Sequence, residues 1–381
     1  NLYNTILIHA ELKGADLSGA NLKGTTLFDA DLSSADLSYA DLSGVLFLAH
    51  WDAQSAPTMT GTNLEGADLQ GKWFDAAAMS GVNLKNAEIT GTRFSNTDLS
   101  YASLESAQAI NQVIFDSVSL VGADLSNASL PLSSLQNVDL TGANLEGAHL
   151  PGTEFTGNKV TLNGTNLKGV NFASALIGVL NLSGMDLTGV SFNGAELAQV
   201  DFSYANLTSA NFIGAQNAFY AGPTLFKGAN FTDAQFSALD GPAGWPVGGF
   251  DFRQADLTGA NFTNANLRGS QMAGCTFAGV TWTGAALASS TLSDSVFPAQ
   301  LSNHQFVGVE LSHAMLENAV LTDANLAGAD LTGAYLREAN LTGANLTSAL
   351  LGGIQGDLAI CPDGYQTPIG FWGPFCDGHL L

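Results

Sequence analysis

Carboxylates are the most numerous side chains in this chain that could do chemistry. The 34 Asp and Glu residues outnumber the 11 Lys and Arg residues and give a formal net charge of −23. Most of the Asp residues recur at five-residue intervals, so no pair is set apart as an acid and a base in different environments. We therefore predict no catalytic residue. Ion binding by ladders of Asp and Asn stays open, although the chain lacks the nonapeptide of calcium-binding β-rolls.

Histidines and nucleotide-binding motifs indicate no further site. No two His residues have the spacing of metal ligands on one element. The chain contains no nucleophile elbow, no phosphate-binding loop and no dinucleotide fingerprint. The sequence therefore predicts no metal and no cofactor. The six His residues are scattered along the chain at His9, His50, His149, His304, His313 and His379.

Three cysteines remain as candidates for chemistry. Cys361 and Cys376 bracket a Pro- and Gly-rich loop, and a disulfide there would add about 3 kcal/mol in the chain-entropy model. The alternative is two thiols in a reducing cytosol. We favour the disulfide, because so short a loop with little regular structure benefits from a cross-link, and a disulfide implies an oxidising compartment. Cys275 precedes Phe277 at a small inward position and is expected to act as a small apolar residue.

The composition supplies ample material for a core and limits the classes of partner. Hydrophobic residues make up 46% of the chain and charged residues 12%, whereas a disordered chain would be more polar. The acidic balance excludes a basic groove for nucleic acid or an anionic membrane. No run of about 18 apolar residues occurs, so we predict no membrane span. The chain begins Asn1-Leu2-Tyr3 without an initiator Met, from which we expect a removed signal peptide or a trimmed chain.

A five-residue repeat organises nearly the whole chain and must position these residues. From Ala10 onward the chain reads AELKG, ADLSG, ANLKG, and the pattern is cleanest over 319–351. The small and the large residue lie two apart, so in an extended segment both point one way and the Asp or Asn between them points the other. The last two positions are rich in turn-forming Gly, Ser and Thr. Stacked coils would bury central residues such as Leu17, Leu125, Phe202 and Leu326.

These A(D/N)LXX units resemble the pentapeptide-repeat family. The resemblance implies an all-β fold, a right-handed quadrilateral parallel β-helix with four units per coil. On that basis the chain would make about 17 coils. The C-P-D-G…C-D-G-H arrangement of the tail resembles the tails of secreted or periplasmic bacterial members.

We expect one β-helix over residues 1–351 and a cap over residues 352–381. The register of the repeat breaks near 48–61, 213–225 and 237–251. Loops on a rigid scaffold often carry function, although insertions tolerated at corners are an equally simple interpretation. The candidate binding residues in these loops are Trp51, Tyr220 and Trp245.

The two ends of the repeat differ in composition. The aromatic, Pro-rich tail suits a cap over the open sheet edge of a last coil. At the other end, Leu2 and Leu7 are in phase with Leu12, so the repeat runs to the first residues. Two interpretations remain open there. The coil end pairs with another molecule, or it is covered by upstream residues or by Tyr3 and Ile6.

The function that the sequence favours is a non-enzymatic structural or interaction scaffold outside the cytoplasm, whether periplasmic, cell-surface or secreted. Its partner would be a protein or a second copy of the chain, and end-to-end stacking into a filament is one version. The alternative is a mimic of DNA, like family members that protect or inhibit DNA gyrase. The net charge of −23 fits that role, but those proteins dimerise through a carboxy-terminal element that this cysteine-containing tail does not resemble. For an enzyme acting on polysaccharide, fold analogy is the only support.

Overall fold

The computed structural model describes residues 1–42, 44, 45, 47, 58–156, 160–217, 224–236, 252–257, 311–368 and 375–378, with single positions between 260 and 306. The chain divides into two compact units, Asn1–Asn181 and Leu182–Leu381, and each is considered by itself. Among the described residues, no helix is long and apolar enough to cross a membrane.

In the first unit the chain coils so that equivalent residues of successive coils pair in parallel. Glu11 pairs with Asp31, and Ala78 pairs with Asp98, each twenty residues further on. A coil of twenty residues built from five-residue units has four sides, so this is the quadrilateral parallel β-helix that the family resemblance implies. One ladder runs through eight rungs at Glu11, Asp31, Thr58, Ala78, Asp98, Ser119, Asp139 and Thr161. The number of coils in the whole chain stays a prediction.

The inward positions of each unit form the core. Leu125, Phe202 and Leu326 are almost completely buried, as expected. Leu17 is only half-buried, because it lies in the first coil and has another coil on one side only. From Leu22 onward the central residues of the first unit are buried throughout the described range. The core is thus a continuous stack of Leu and Phe with small residues between them.

Corners between sides repeat one local structure. The amide of Ala15 donates to the carbonyl of Leu12 at 3.0 Å, closing the turn. The amide of Ser18 donates to Oδ1 of Asp16 at 3.1 Å, so the outward carboxylate holds the next corner. The last residue of that unit, Gly19, has φ of 60°, a backbone conformation that Gly and Asn adopt at least cost. Outward Asp and Asn are therefore explained by turn formation.

One side of the first unit forms true strands instead of single bridges. They are β1 (Trp73–Asp75), β2 (Arg93–Ser95), β3 (Ile114–Asp116), β4 (Ser134–Gln136), β5 (Glu154–Thr156) and β6 (Leu176–Ile177). Each pairs in parallel with the next, with the central residues in register from Phe74 and Phe94 onward. The Phe74, Phe94 and Phe115 rings stack with centroids 5.3 Å apart. This side is the most extended part of the unit.

The second unit repeats the same architecture, with β7 (Glu196–Leu197) pairing in parallel with β8 (Gln216–Asn217). Its core contains two columns of stacked Phe rings, with ring planes within one column nearly parallel and rings of neighbouring columns edge to face. The first column is Phe192, Phe212, Phe236 and Phe262, whose successive ring centroids are 4.9, 5.0 and 4.7 Å apart. The second column is Phe202, Phe226 and Phe252, whose successive ring centroids are 5.0 and 4.9 Å apart.

Two of the predicted interruptions are shorter than the sequence indicated. Thr58 lies within the predicted break at 48–61, yet it pairs with Ala78, and its neighbour Met59 is fully buried. Strand β8 lies within the predicted break at 213–225. The pattern failed here because the central position holds Met59 or Asn217 instead of Leu or Phe. The third break, 237–251, lies outside the described residues.

The carboxyl end of the second unit folds back on its last coil. The amide of Leu341 still donates to the carbonyl of Ile360 at 2.8 Å, as between regular coils. The chain then reverses, and Ile360 pairs antiparallel with Gln366. The hydroxyl of Thr367 donates to the carbonyl of Gly356, and its amide donates to the carbonyl of Ala359 at 2.8 Å. This hairpin lies within residues 352–381, the segment predicted to be the cap.

The predicted disulfide is confirmed. Cys361 and Cys376 are joined by an S–S bond of 2.04 Å, and both residues are buried. The bond fixes the neighbouring Phe375, whose buried ring lies against Gly356. A Cβ at Gly356 would come within 2.3 Å of that ring, so the close approach requires Gly. Cys275 is buried as expected, and its thiol donates to the carbonyl of Phe252 at 2.9 Å.

Candidate functional site

Many outward side chains of the first unit already accept the hydrogen bonds that stabilise the corner turns. Asp31, Asp36 and Asn63 each accept a hydrogen bond from the backbone amide two residues later. They also bond across coils, since Nδ2 of Asn63 donates to Oδ1 of Asp36 at 3.0 Å. The residue types at these positions therefore follow from the fold and indicate no ligand.

The strand side differs, because most of the outward residues that precede its central residues are not of the turn-forming type. Trp, Arg, Ile and Leu have no side-chain acceptor for a corner amide, so the local fold does not explain why they are there. We call the outward side chains of β1–β6 the strand face. Its leading row, one residue per coil in register, is Trp73, Arg93, Ile114, Ser134, Glu154 and Leu176.

Trp73 and Arg93 are neighbours in this row. Trp73 is 58% exposed although it is a large apolar residue. Nε of Arg93 donates to Oγ of Ser95 at 2.8 Å, and its NH2 nitrogen lies 3.7 Å from Oδ2 of Asp116. These two contacts hold the guanidinium along the strand face and leave further N–H donors available. An exposed indole and a positioned hydrogen-bonding cation thus lie on adjacent strands.

A shallow depression adjoins the strand face at the corner that follows β3 and β4. Its volume is about 450 Å³, and four of its five lining residues have polar side chains: Ser117, Val118, Ser119, Asn137 and Asp139. The hydroxyl of Ser119 is within 2.7 Å of the hydroxyl of Ser100 in the previous coil. The depression therefore offers hydroxyl, amide and carboxylate groups beside the strand face.

The carboxylate in this depression is stabilised in its ionised form. Hydrogen bonds from the hydroxyls of Thr141 and Thr161, together with the Thr141 amide, hold the pKa of Asp139 below its ordinary value. The same direction applies to the pKa of Asp16, where the hydroxyl and then the amide of Ser18 donate. These groups are acceptors at neutral pH and are poor general acids. Among the described residues, no cluster of His, Cys, Asp and Glu is placed to hold a metal ion.

One charged residue of the first unit is buried behind the strand face. Lys72 occupies the small inward position before Trp73 and is 9% exposed. Burial lowers the pKa of Lys72, while the nearby Asp68 and Asp41 oppose that shift. Its Nζ lies 3.5 Å from the carbonyl oxygen of Val45, a long contact.

The candidate binding residues predicted from sequence, Trp51, Tyr220 and Trp245, lie outside the described residues. The sequence analysis missed the strand face, although a signal was present. Over three successive coils, every fourth unit has Trp, Arg or Ile at the outward position, as in KWFDA at 72–76, TRFSN at 92–96 and VIFDS at 113–117. A search at the twenty-residue period of the coil would have found it.

Comparison with family models supports the fold. The model described as pentapeptide repeats matches in eight copies, which together span more than half of the chain. The matched residues are 1–33, 10–47, 77–111, 119–157, 181–215, 248–274, 305–343 and 314–353. No curated protein matches the chain.

Several solved structures are similar over part or most of the chain. A pentapeptide repeat protein from the thylakoid lumen of Arabidopsis thaliana is 37% identical, over 29% of this chain and 71% of its own, with a TM-score of 0.26. HetL from the cyanobacterium Nostoc, involved in regulating heterocyst differentiation, is 22% identical over 80% and 91%, with a TM-score of 0.15. Full-length QnrB1, a plasmid-mediated fluoroquinolone resistance protein, is 19% identical over 65% and 92%, with a TM-score of 0.19.

The repeat units, the four-sided coil and the family match agree with one another. The twenty-residue coil is described directly in both units, and the family model covers most of the regions in which it occurs. The chain belongs to the pentapeptide-repeat family.

Proposed function

We propose that this pentapeptide-repeat scaffold is a non-enzymatic interaction protein that works outside the cytoplasm. The observation that carries the proposal is the buried disulfide between Cys361 and Cys376. Disulfides form and persist in oxidising compartments and are rare in the cytosol. Pentapeptide-repeat proteins are in general structural or interaction proteins, which supports the non-enzymatic part. The regular coil provides a rigid support, and the residues that the fold does not explain lie on the strand face.

The test is the redox state of Cys361 and Cys376 in the source cells. Cells are quenched with acid, thiols are blocked, and the protein is treated with a reductant and then with a mass-tagged maleimide. We expect two tags after reduction from these residues, and recovery of the protein in the periplasmic, surface or secreted fraction. Recovery in the cytoplasmic fraction with both thiols reduced would overturn the proposal. Cys275 is the internal control, because it is already a thiol in the native fold.

The more specific form of this proposal is assembly of copies end to end. Its support is general: an uncovered coil end of a β-helix exposes unpaired strand edges, which pair readily with another chain. Negative-stain electron microscopy of the purified protein, with and without reductant, tests it. Filaments or stacked particles are expected. Single short particles at every concentration would limit the function to the lateral faces.

A mimic of DNA is the second candidate, and the net charge of −23 is the observation that favours it. Against it, outward Asp residues such as Asp16 and Asp36 are needed for the corner turns. Their number therefore follows from the fold without a nucleic-acid role. A gyrase supercoiling assay at micromolar protein separates the two candidates, because an interaction scaffold of the kind proposed leaves supercoiling unchanged.

A further inference from the structure

The strand face of the first unit carries chemistry that neither the fold nor the family match explains. We propose that the row through Trp73, Arg93 and Ile114, with the depression beside β3 and β4, binds a neutral polysaccharide lying along the coil axis. The inference rests on the proposed extracytoplasmic scaffold function and deepens it, since polysaccharides are abundant outside the cytoplasm. It assigns a substrate class to a surface and requires no catalytic step.

The first argument is the pairing of an aromatic platform with fixed hydrogen-bonding groups. A pyranose ring has an apolar C–H face, which packs on an exposed indole, and a rim of hydroxyls, which both donate and accept hydrogen bonds. Trp73 offers the platform. On the next strand Arg93 is held by Ser95 and Asp116, so its remaining donors are positioned before any ligand arrives. Positioning of this kind reduces the entropy cost of binding.

The second argument is the repeat distance. Neighbouring strands lie about 4.8 Å apart, so six rungs in register extend about 24 Å along the coil axis. This spacing is of the same order as the length of one sugar residue in an extended polysaccharide. A polymer lying across the strands would therefore meet one side chain of the leading row at each rung. The polar depression at Ser117 and Asn137 extends the row of hydrogen-bonding groups beyond the strand face.

The third argument is charge. The strand face carries carboxylates at Asp75, Asp116 and Glu154 against the single guanidinium of Arg93. A polymer of uronic acids or sulfated sugars would be repelled by this face and by the net charge of the chain. A neutral polymer is not repelled, and its hydroxyls donate to the carboxylates.

A protein partner fits the same face less well. The centre of a protein interface is usually depleted of Asp and Glu, although Trp and Arg are common there. Here Arg93 separates the apolar Trp73 from Ile114 in the leading row. The outward residues at the other end of the same two strands are the carboxylates Asp75 and Asp116. Isolated platforms with polar neighbours suit a sugar polymer.

The experiment measures binding of neutral hexasaccharides of β-linked glucose and N-acetylglucosamine to the purified full chain by isothermal titration calorimetry. Alginate hexasaccharide is the anionic comparison. We expect the neutral probes to bind at least about tenfold more tightly than alginate, and Trp73→Ala to weaken binding by about tenfold or more. Tyr101→Ala is the matched control, because Tyr101 is an exposed aromatic of the same unit outside the strand face. It is expected to leave binding unchanged.

Several results would overturn the inference. They are no binding of either neutral probe at millimolar concentration, equal or tighter binding of alginate, or equal binding by Trp73→Ala and the wild type. Photo-crosslinking from the strand face to a protein, in place of a glycan, would also overturn it. Circular dichroism checks that both variants keep the fold. The assay uses purified protein, so its outcome does not depend on the compartment, and the thiol-tagging experiment can fail or succeed independently.

Discussion

The outward aspartates make stability depend on pH in a defined direction. Hydrogen bonds from Thr141 and Thr161 lower the pKa of Asp139 in the folded state below its ordinary value. A carboxylate whose folded pKa is depressed stabilises the fold above its unfolded pKa, and that stabilisation is lost as the pH falls through the folded pKa. The pKa is lowered in the same way at Asp16, Asp31, Asp36 and Asp330.

We therefore expect the thermal midpoint to stay level from pH 7 to about pH 5 and to fall between about pH 4 and pH 2. Circular dichroism at constant ionic strength measures it. Asp139→Asn retains an acceptor but no titrating group, so its midpoint should fall less steeply over this range than that of the wild type. A wild-type midpoint that is unchanged at pH 2 would contradict the role given to these carboxylates.

Two lysines of the first unit should respond in opposite ways to the same substitution. Lys72 is buried, and burial lowers the pKa of its amine. Replacing it by Met keeps most of the volume and removes a buried charge, so Lys72→Met should raise the unfolding midpoint. Lys85 lies at the surface with Nζ 2.8 Å from Glu105, and that contact raises the pKa of Lys85. Lys85→Met should lower the midpoint slightly. A lower midpoint for Lys72→Met would show that its amine is needed.

At the scale of the coil, buried hydroxyls link successive coils through hydrogen bonds to backbone carbonyls. Oγ1 of Thr62 donates to the carbonyl of Leu32 at 2.7 Å, and Oγ1 of Thr165 donates to the carbonyl of Leu140 at 2.7 Å. Because the hydroxyls are buried, Thr62→Val should lower the free energy of unfolding by about 1–2 kcal/mol. Denaturant titration measures it. The exposed Thr347→Val is the control and should change little. Equal effects at both positions would show that the cross-coil bond is unimportant.

At one corner of the coil, the Tyr101 ring from the previous coil covers Gly122. A Cβ at Gly122 would lie 2.8 Å from the Tyr101 ring, whereas a Cβ at Gly142 would have nothing within 4 Å. Both glycines have positive φ, 64° and 68°, so Ala should cost about 1 kcal/mol at either site. Gly122→Ala should cost more, since the ring must also move. Adding Tyr101→Ala should remove this difference. If it persists in the double variant, the ring is not its cause.

The coil was predictable from sequence because each position of the unit has a separate physical task. A small inward residue, a turn-forming outward residue and a large central residue recur at every fifth position, as in ADLSG at 15–19. The register near 58–61 and 213–217 was predicted wrongly, since Met59 and Asn217 occupy central positions where Leu or Phe was required. The strand face was overlooked because it appears only at every fourth unit, and the four-unit coil came from a family resemblance.

At the scale of the whole molecule, a solenoid distributes its stability locally. Each coil contacts mainly its neighbours, so a change in one region disturbs that region most. Leu125 and Leu326 are both central buried residues, one in each unit. The candidate binding surface lies in the first unit and the disulfide in the second. Evidence for location and evidence for binding therefore come from separate parts of the chain.

This separation predicts a local response to loss of the disulfide. The double variant Cys361→Ser with Cys376→Ser should lose about 3 kcal/mol of local stability at the cap, because the closed loop gains conformational entropy when it opens. Hydrogen exchange by mass spectrometry should then show faster exchange over residues 336–367, which include the hairpin on the last coil. Exchange over residues 58–156 should match that of the wild type. Cys275→Ala is the matched control, because it removes a buried thiol and leaves the cross-link intact. If exchange accelerates equally in both ranges, the chain unfolds as one cooperative body, and the cap stabilises the strand face as well as its own end.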